Sequence, residues 1–166
     1  MGLDTSHGCW HGAYSAFMRW RLMIAKLSGV PLMLMEGFYD PAGDHVGGSA
    51  FKQAFEWAAP REGGPLCRSY HGPVLHRWIE GVKEWLPISW SSLKPDPLHV
   101  LLWHSDCDGS IAAADCGPIA DRLTELLPLL PVGDAGGHIG NWRDKTKTFI
   151  DGLRAAAAAG EDVEFH

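Results

Sequence analysis

A cluster of His, Asp and Cys side chains directly follows a strongly apolar stretch in the second half of the chain. The apolar run covers residues 98–104, and residues 104–109 are His-Ser-Asp-Cys-Asp-Gly. A run of that length predicts a strand, and helical periodicity returns near Asp115. Ligands favour the loop that leaves the carboxyl end of a strand, so residues 104–109 are the leading candidate site. We expect His104 and Asp106 to orient a ligand there.

Metal binding is one chemistry that these residue types support. The Asp-x-Asp-Gly pattern at 106–109 offers carboxylates to a hard cation, including Asp108, although the closing Glu of a twelve-residue calcium loop is absent. Turn formation explains Asp108 followed by glycine equally well. Near the N-terminus, His7, Cys9 and His11 would lie on one side of an extended segment and could hold zinc. In a helix they would diverge, and Cys9 would be a small buried apolar residue.

A second Gly-rich loop, residues 133–140, leads into a helix predicted to begin near Asn141. The free N–H groups at a helix start favour an anion, and Arg143 and Lys145 could add charge-assisted bonds to phosphate or carboxylate. His138 ends the same loop and is a further candidate ligand-binding residue. The alternative is that His138 or Asn141 only caps the helix and that Arg143 lies on a solvated face.

The first predicted helix, which we expect to begin at Thr5 or Ser6 and end near residue 27, carries two further candidates. Arg21 falls within its apolar stripe, so it requires either a ligand or a buried carboxylate partner, for which Asp106 and Asp144 are the candidates. Trp10 lies at the start of the same stripe. Eight Trp among 166 residues favour either a bulky core or a pocket that stacks planar ligands.

Composition excludes some classes of protein. The net charge of −6 argues against binding to bulk nucleic acid, which requires a basic surface. No apolar run reaches membrane-spanning length, and no secretion signal begins the chain. The four cysteines lack CxxC spacing, which favours reduced thiols in the cytosol. We therefore expect a cytoplasmic protein that does not bind membranes.

The pattern of elements predicts one α+β domain over residues 1–166, with an irregular, loop-rich segment at 40–72. We expect three or four helices packed on a small sheet in which residues 98–104 form the central strand. Asn141 to Ala159 is the clearest helix, with Gly160 as its C-terminal cap. Residues 161–166 alternate and predict a short final strand beside 98–104. The expected core residues are Trp78, Ile79, Val82, Leu123, Leu126, Phe149 and Leu153.

Three segments carry a resemblance: residues 2–21, which contain Gly-Leu-Asp-Thr-Ser-His-Gly-Cys-Trp-His-Gly-Ala-Tyr-Ser-Ala-Phe, residues 104–109, and the Gly-His-Ile-Gly-Asn-Trp-Arg-Asp-Lys-Thr run at 137–146 with residues 149–154. Together they resemble a family of small uncharacterised proteins from bacteria, notably actinobacteria, and their phages and prophages. The resemblance implies a setting, a phage-encoded protein in the host cytosol that acts on host defence, and it implies no activity.

The leading hypothesis is a protein that binds, and as a phage protein sequesters, a small anionic ligand derived from a nucleotide. Trp10 would stack on the base, while the cations and the free N–H groups near Asn141 would hold phosphate. One alternative is a hydrolase of a phosphate-containing or nucleotide substrate that uses zinc, manganese or magnesium. The other is an inhibitor that binds a host protein through exposed Trp residues. Self-association into a homo-oligomer is compatible with each hypothesis, and the sequence does not decide whether the protein is an enzyme.

Overall fold

The computed structural model describes residues 2–30, 32, 35–38, 88–105 and 107–166. Contacts divide the chain into two compact units, Met1–Ile24 with Pro97–His166, and Ala25–Asp96. The predicted irregular segment 40–72 lies outside the described residues, as do Trp78, Ile79 and Val82. A single domain over residues 1–166 stays a prediction.

The described residues form a mixed α+β structure with short antiparallel strands. The strands are β1 (Gly2–Asp4), β2 (His11–Ala13), β3 (Ser110–Ile111) and β4 (Val163–Glu164). The α-helices are α1 (Tyr14–Ser28), α2 (Leu98–Trp103), α3 (Ala113–Leu126) and α4 (Trp142–Ala159). Short 3-10 turns occur at Ser6–Gly8, Trp90–Ser92 and Leu127–Leu129. Strands β1 and β2 pair with each other, and β3 pairs with β4.

The N-terminal segment is a β-hairpin, where the sequence predicts the first turns of a helix. The chain reverses through Ser6–Gly8, where His7 and Gly8 both have left-handed backbone conformations. The Thr5 hydroxyl accepts a hydrogen bond from the backbone N–H of Trp10 at 2.6 Å and closes the turn. Glycines at 2, 8 and 12 disfavour a helix here, so α1 begins only at Tyr14.

Residues 98–103 are helical, so the predicted central strand at 98–104 is wrong. Leu98, Leu101 and Leu102 are buried, whereas Val100 and Trp103 are exposed. Buried residues at i, i+3 and i+4 follow the period of a helix. In a strand buried on both faces, every residue of the run would be buried, which Val100 and Trp103 are not. The site loop therefore follows a short helix and not a strand.

The two ends of the chain pair with each other. Thr5 forms an antiparallel bridge with Phe165. Asp4 and His166 exchange backbone hydrogen bonds of 2.8 and 3.0 Å. The predicted final strand is present as β4, but it pairs with β3 instead of residues 98–104. This pairing fixes the hairpin against the C-terminal segment.

Helices α3 and α4 pack against each other and supply much of the core. The predicted core residues among them are confirmed: Leu123, Leu126, Phe149 and Leu153 are fully buried. The ends of α4 also agree with the sequence, because Asn141 is its N-cap and Gly160 its left-handed C-cap. At Gly152, α4 approaches the backbone of Cys9 so closely that an added Cβ would lie 2.9 Å from the Cys9 Cα.

An aromatic cluster fills the interior between the hairpin, α1 and α4. Its members are Trp10, Phe17, Trp20, Phe149 and Phe165, with ring centroids of contacting pairs 4.7–6.2 Å apart. The Trp20 indole N–H donates to the Thr146 hydroxyl at 2.9 Å. These contacts hold the hairpin against the first half of α4, which is where the polar residues discussed below lie.

In the smaller unit, Met35 and Ile88 form a parallel bridge, and the Glu36 N–H donates to the Ile88 carbonyl at 2.9 Å. The Trp90 indole N–H donates to the Glu36 carbonyl at 3.0 Å. Across the described part of the whole chain, no helix is long and apolar enough to span a bilayer.

Candidate functional site

Arg21 lies in the interior and not on a ligand-facing surface. Arg21 is 1 % exposed. Its Nη1 donates to the carbonyl oxygens of Leu102 at 3.2 Å and His104 at 2.5 Å. The guanidinium also lies 5.0 Å from the ring centroid of Phe17. Burial lowers the pKa of Arg21 to about 10, so the group stays charged at neutral pH. Arg21 therefore fixes the end of α2 and does not form the predicted phosphate contact.

His104 is also engaged within the protein. Its ring lies 4.1 Å, centroid to centroid, from that of Phe165, and its Nδ1 lies 2.7 Å from the Ser105 carbonyl oxygen. Gly109, which has a φ of +95°, approaches the same ring, and an added Cβ would lie 3.3 Å from Nε2. Asp106, the predicted partner of His104 in orienting a ligand, lies outside the described residues.

The predicted metal ligands are not brought together. His7 pairs with Glu161, with 3.3 Å between Nε2 and Oε2, Cys9 is buried, and Asp108 is exposed. His11 is exposed and pairs with Asp4. Cys9 adopts a helical backbone conformation and His7 a left-handed one, so the alternation that would align His7, Cys9 and His11 is broken. No group of three His, Cys, Asp or Glu side chains within the described ranges could hold a metal ion.

The start of α4 uses Asn141 and Arg143 for its own structure. The Asn141 side-chain oxygen accepts hydrogen bonds from the N–H groups of Arg143 at 2.9 Å and Asp144 at 3.2 Å. The Arg143 guanidinium donates to the carbonyl oxygens of Pro128 at 3.0 Å and Leu130 at 3.2–3.3 Å. The capping interpretation of Asn141 is confirmed. Arg143 ties the turn after α3 to α4, so the predicted phosphate contacts of both residues are replaced by internal ones.

Lys145 is the predicted cation that remains available to a ligand. Its Nζ donates to the His11 carbonyl oxygen at 2.8 Å and lies 4.3 Å from the ring centroid of Trp10. The residue is half-buried, and this burial lowers its pKa. Among the described residues no carboxylate lies within 4.0 Å of the ammonium. Within the described ranges, the carbonyl and the ring face are the groups that compensate the charge.

Trp10 cannot stack on a base as the sequence suggested. The residue is 1 % exposed, and its ring contacts Phe17 and Trp20 inside the protein while Lys145 lies over it. Its indole N–H is buried and has no hydrogen-bond partner among the residues that the structure describes. Buried polar groups are seldom left without a partner, so this donor needs an explanation.

Gly12 marks the place where the hairpin meets the loop before α4. A Cβ added at Gly12 would lie 3.1 Å from the His138 Cβ and 3.5 Å from the Trp10 Nε1. His138 itself is exposed. The His138 Cβ and the Trp10 indole nitrogen therefore both lie close to Gly12. We refer to Trp10, His11, Gly12, His138 and Lys145 together as the Lys145 site.

Asp4 is a member of the surrounding surface that was not among the predicted site residues. The register of the hairpin places Asp4 opposite His11, and the Asp4 Oδ1 lies 2.5 Å from the His11 Nδ1. Both side chains are exposed, at 60 % and 87 % respectively. Six residues lie between the two in sequence, and the register of the hairpin brings them face to face.

The three candidate segments thus meet in two places. Arg21 meets the 104 loop, and the hairpin meets residues 138–145 at the Lys145 site. Contacts from His104 to Phe165, from Phe165 to Phe17 and from Phe17 to Trp10 link the two places through the aromatic cluster. Comparison with protein families, curated proteins and solved structures finds no match to this chain.

Proposed function

We propose that this protein binds a small anionic ligand, of the phosphate-bearing kind found in nucleotides, at the Lys145 site. The observation that carries the proposal is the Lys145 ammonium, which is half-buried with no carboxylate within 4.0 Å among the described residues. Burial makes the charged form costly, and a bound anion would offset that cost. An ammonium has three donors, and the His11 carbonyl accepts one of them.

The buried indole N–H of Trp10 supports the same proposal. It is a second donor without an acceptor in the part of the chain that the structure describes, and the ring that carries it lies beneath the ammonium. An oxyanion placed between the two groups would accept from both. Charge-assisted hydrogen bonds of this kind are the strong ones in proteins.

Titration with inorganic phosphate, followed by ¹H–¹⁵N NMR at constant ionic strength, tests the proposal. We expect saturable shifts of the Trp10 indole N–H and of the His138 amide. Lys145→Met should weaken binding at least about tenfold, which corresponds to the loss of roughly 1.4 kcal/mol. Lys147→Met is the matched control, because Lys147 is exposed on the same helix and faces Asp144. It should bind phosphate like the wild type.

Two results would contradict anion binding at this place. One is the absence of any saturable shift in the wild type. The other is equal binding by Lys145→Met and the wild type, which would place the phosphate elsewhere. A chloride titration at matched ionic strength separates site binding from general screening.

A second candidate function, protein binding, is favoured by one observation on α2. Trp103 is 65 % exposed and Val100 is 39 % exposed, and their spacing of three residues places them on one helix face. Exposed Trp residues often anchor protein interfaces. If the partner is a second copy of the chain, sedimentation of the wild type should depend on concentration and that of Trp103→Ser should not. Equal behaviour of the two would refute self-association through this face.

A further inference from the structure

The backbone of His11 faces away from the partner strand of the hairpin. Residues opposite each other in an antiparallel pair alternate between those that exchange both backbone hydrogen bonds and those that exchange none. Asp4 lies opposite His11, but its N–H and carbonyl bond to His166 on the other side of β1. The N–H and carbonyl of His11 therefore both point to the outer edge of β2. No strand of the described chain pairs with that edge.

Lys145 takes the place of a neighbouring strand at one of these two backbone groups. Its Nζ donates to the His11 carbonyl at 2.8 Å, a distance typical of a backbone hydrogen bond in a sheet. In a paired strand, the residue that donates to a carbonyl also supplies the acceptor for the N–H of the same residue. An ammonium has donors only, so the His11 N–H lacks an acceptor among the residues that the structure describes.

We propose that one oxygen of the bound phosphate accepts from both the His11 backbone N–H and the Lys145 ammonium. The inference rests on the proposed function and adds a main-chain donor to its site. In a sheet, the donor on a carbonyl and the acceptor on the N–H of the same residue are neighbours. An oxygen on the His11 N–H therefore lies beside the Nζ that is bound to the His11 carbonyl. A backbone N–H and a charged donor that converge on one oxygen stabilise negative charge there.

The oxygen that suits this pair of donors is a terminal one that carries negative charge. A terminal oxygen has no further substituent, so it reaches the edge of a strand end-on. Hydrogen bonds between charged partners are stronger than neutral ones, so the ammonium favours an ionised phosphate over a neutral phosphate triester. The His11 side chain stands perpendicular to the strand, whereas its N–H lies in the plane of the sheet. Recognition by the N–H therefore does not require the imidazole.

The first test follows the His11 backbone amide of the full chain by ¹H–¹⁵N NMR during titration with inorganic phosphate. We expect its proton resonance to move downfield and to saturate with the same Kd as the Trp10 indole N–H. Trimethyl phosphate is the neutral comparison, since it offers a terminal oxygen of the same kind without the charge. It should cause no saturable shift of either resonance at the same concentrations.

Two substitutions at position 11 separate the main chain from the side chain. His11→Pro removes both the N–H and the imidazole, and Pro is tolerated at the first residue of a strand and on an outward-facing edge, where His11 lies. His11→Ala removes the imidazole alone. His11→Pro should weaken phosphate binding at least about tenfold, the effect of one lost hydrogen bond to a charged group. His11→Ala should bind within about twofold of the wild type. The amide resonances of α3 and α4 report whether each variant is folded.

The outcomes distinguish this inference from the proposed function. A saturable shift of the Trp10 indole without one of the His11 amide overturns the inference and leaves anion binding in place. This result is read in the wild type, so it decides the question even if His11→Pro does not fold. Equal binding by His11→Pro and the wild type, or equal losses in His11→Pro and His11→Ala, also overturns the inference. So does a saturable shift of the His11 amide by trimethyl phosphate. Absence of any saturable shift with inorganic phosphate overturns the proposed function itself.

Discussion

Replacement of Gly152 by Ala is expected to destabilise the protein, although Ala is the better helix former. A Cβ at this position in α4 would lie 2.5 Å from the Cys9 Sγ and 2.9 Å from both its Cα and its N. Carbon atoms pack best at about 3.5–4.0 Å, so α4 or the hairpin would have to move by about 0.6 Å or more. Two of the three obstructing atoms are backbone, and no side-chain rotation relieves them.

The expected size follows from two opposing terms. Overpacking of a dense core costs up to about 3 kcal/mol. The higher helix propensity of Ala stabilises the helix by about 1 kcal/mol relative to Gly. The net loss is therefore about 2 kcal/mol, and the melting temperature should fall by roughly 4–8 °C for a chain of this size.

Thermal and urea unfolding of three variants test this reasoning. Gly117→Ala in α3 is the matched control, because nothing lies within 4 Å of its added Cβ, and its stability should change by less than about 1 kcal/mol. In Gly152→Ala with Cys9→Ala the sulfur is absent but the Cys9 backbone remains, so the second change should not restore the stability lost at Gly152. A Gly152→Ala variant as stable as the wild type would refute the close packing of α4 on Cys9.

Three other predictions concern single side chains. Burial raises the pKa of the Cys9 thiol from its ordinary 9.0 to about 12. Between these pH values the thiol ionises in the unfolded chain but not in the folded one, so the free energy of unfolding is highest below pH 9 and falls as pH rises towards 12. The stability difference between wild type and Cys9→Ala in urea unfolding should therefore shrink across that range. Asn141→Ala removes the cap of α4 and should cost about 1 kcal/mol, whereas Asn141→Asp should keep most of it. Arg21→Met leaves the Leu102 and His104 carbonyls without their donor and should cost about 2 kcal/mol or more in urea unfolding; a loss below about 0.5 kcal/mol would contradict this structural role.

Sequence patterns predicted the long helix α4 well, because its signals are local and repeated. Helix α4 carries both an Asn cap and a Gly cap, and its buried stripe runs from Trp142 to Ala156, about four turns, so its ends and its buried face agree with the prediction. The strand prediction for the short run at 98–103 was wrong for the opposite reason. Six residues hold fewer than two helical turns, and a strand or a helix fits an apolar run of that length equally well.

The hairpin could not be predicted because its stabilising partners are distant in sequence. Strands of three residues carry almost no periodic signal. The backbone of Asp4 pairs with that of His166, and the backbone of Cys9 packs against Gly152. Tertiary pairing of this kind overrides the weak local preference of the segment. The direct Asp4–His11 contact forms across the two strands of the hairpin.

The polar residues of the candidate site show which part of function a sequence can reveal. In the sequence, the candidate cations are hard to tell apart, because each lies in an apolar stripe or at a helix start: Arg21, Arg143 and Lys145. In the structure, the guanidinium groups of Arg21 and Arg143 donate to backbone carbonyls. A planar guanidinium with five donors suits that task, whereas an ammonium is a compact charge whose burial is costly. Lys145 donates to one carbonyl and faces an aromatic ring, which compensates a desolvated charge less fully than a carboxylate would. Within the described ranges Lys145 donates to a single carbonyl, which leaves donors for a ligand, and this depends on burial and on neighbours that only the folded chain supplies.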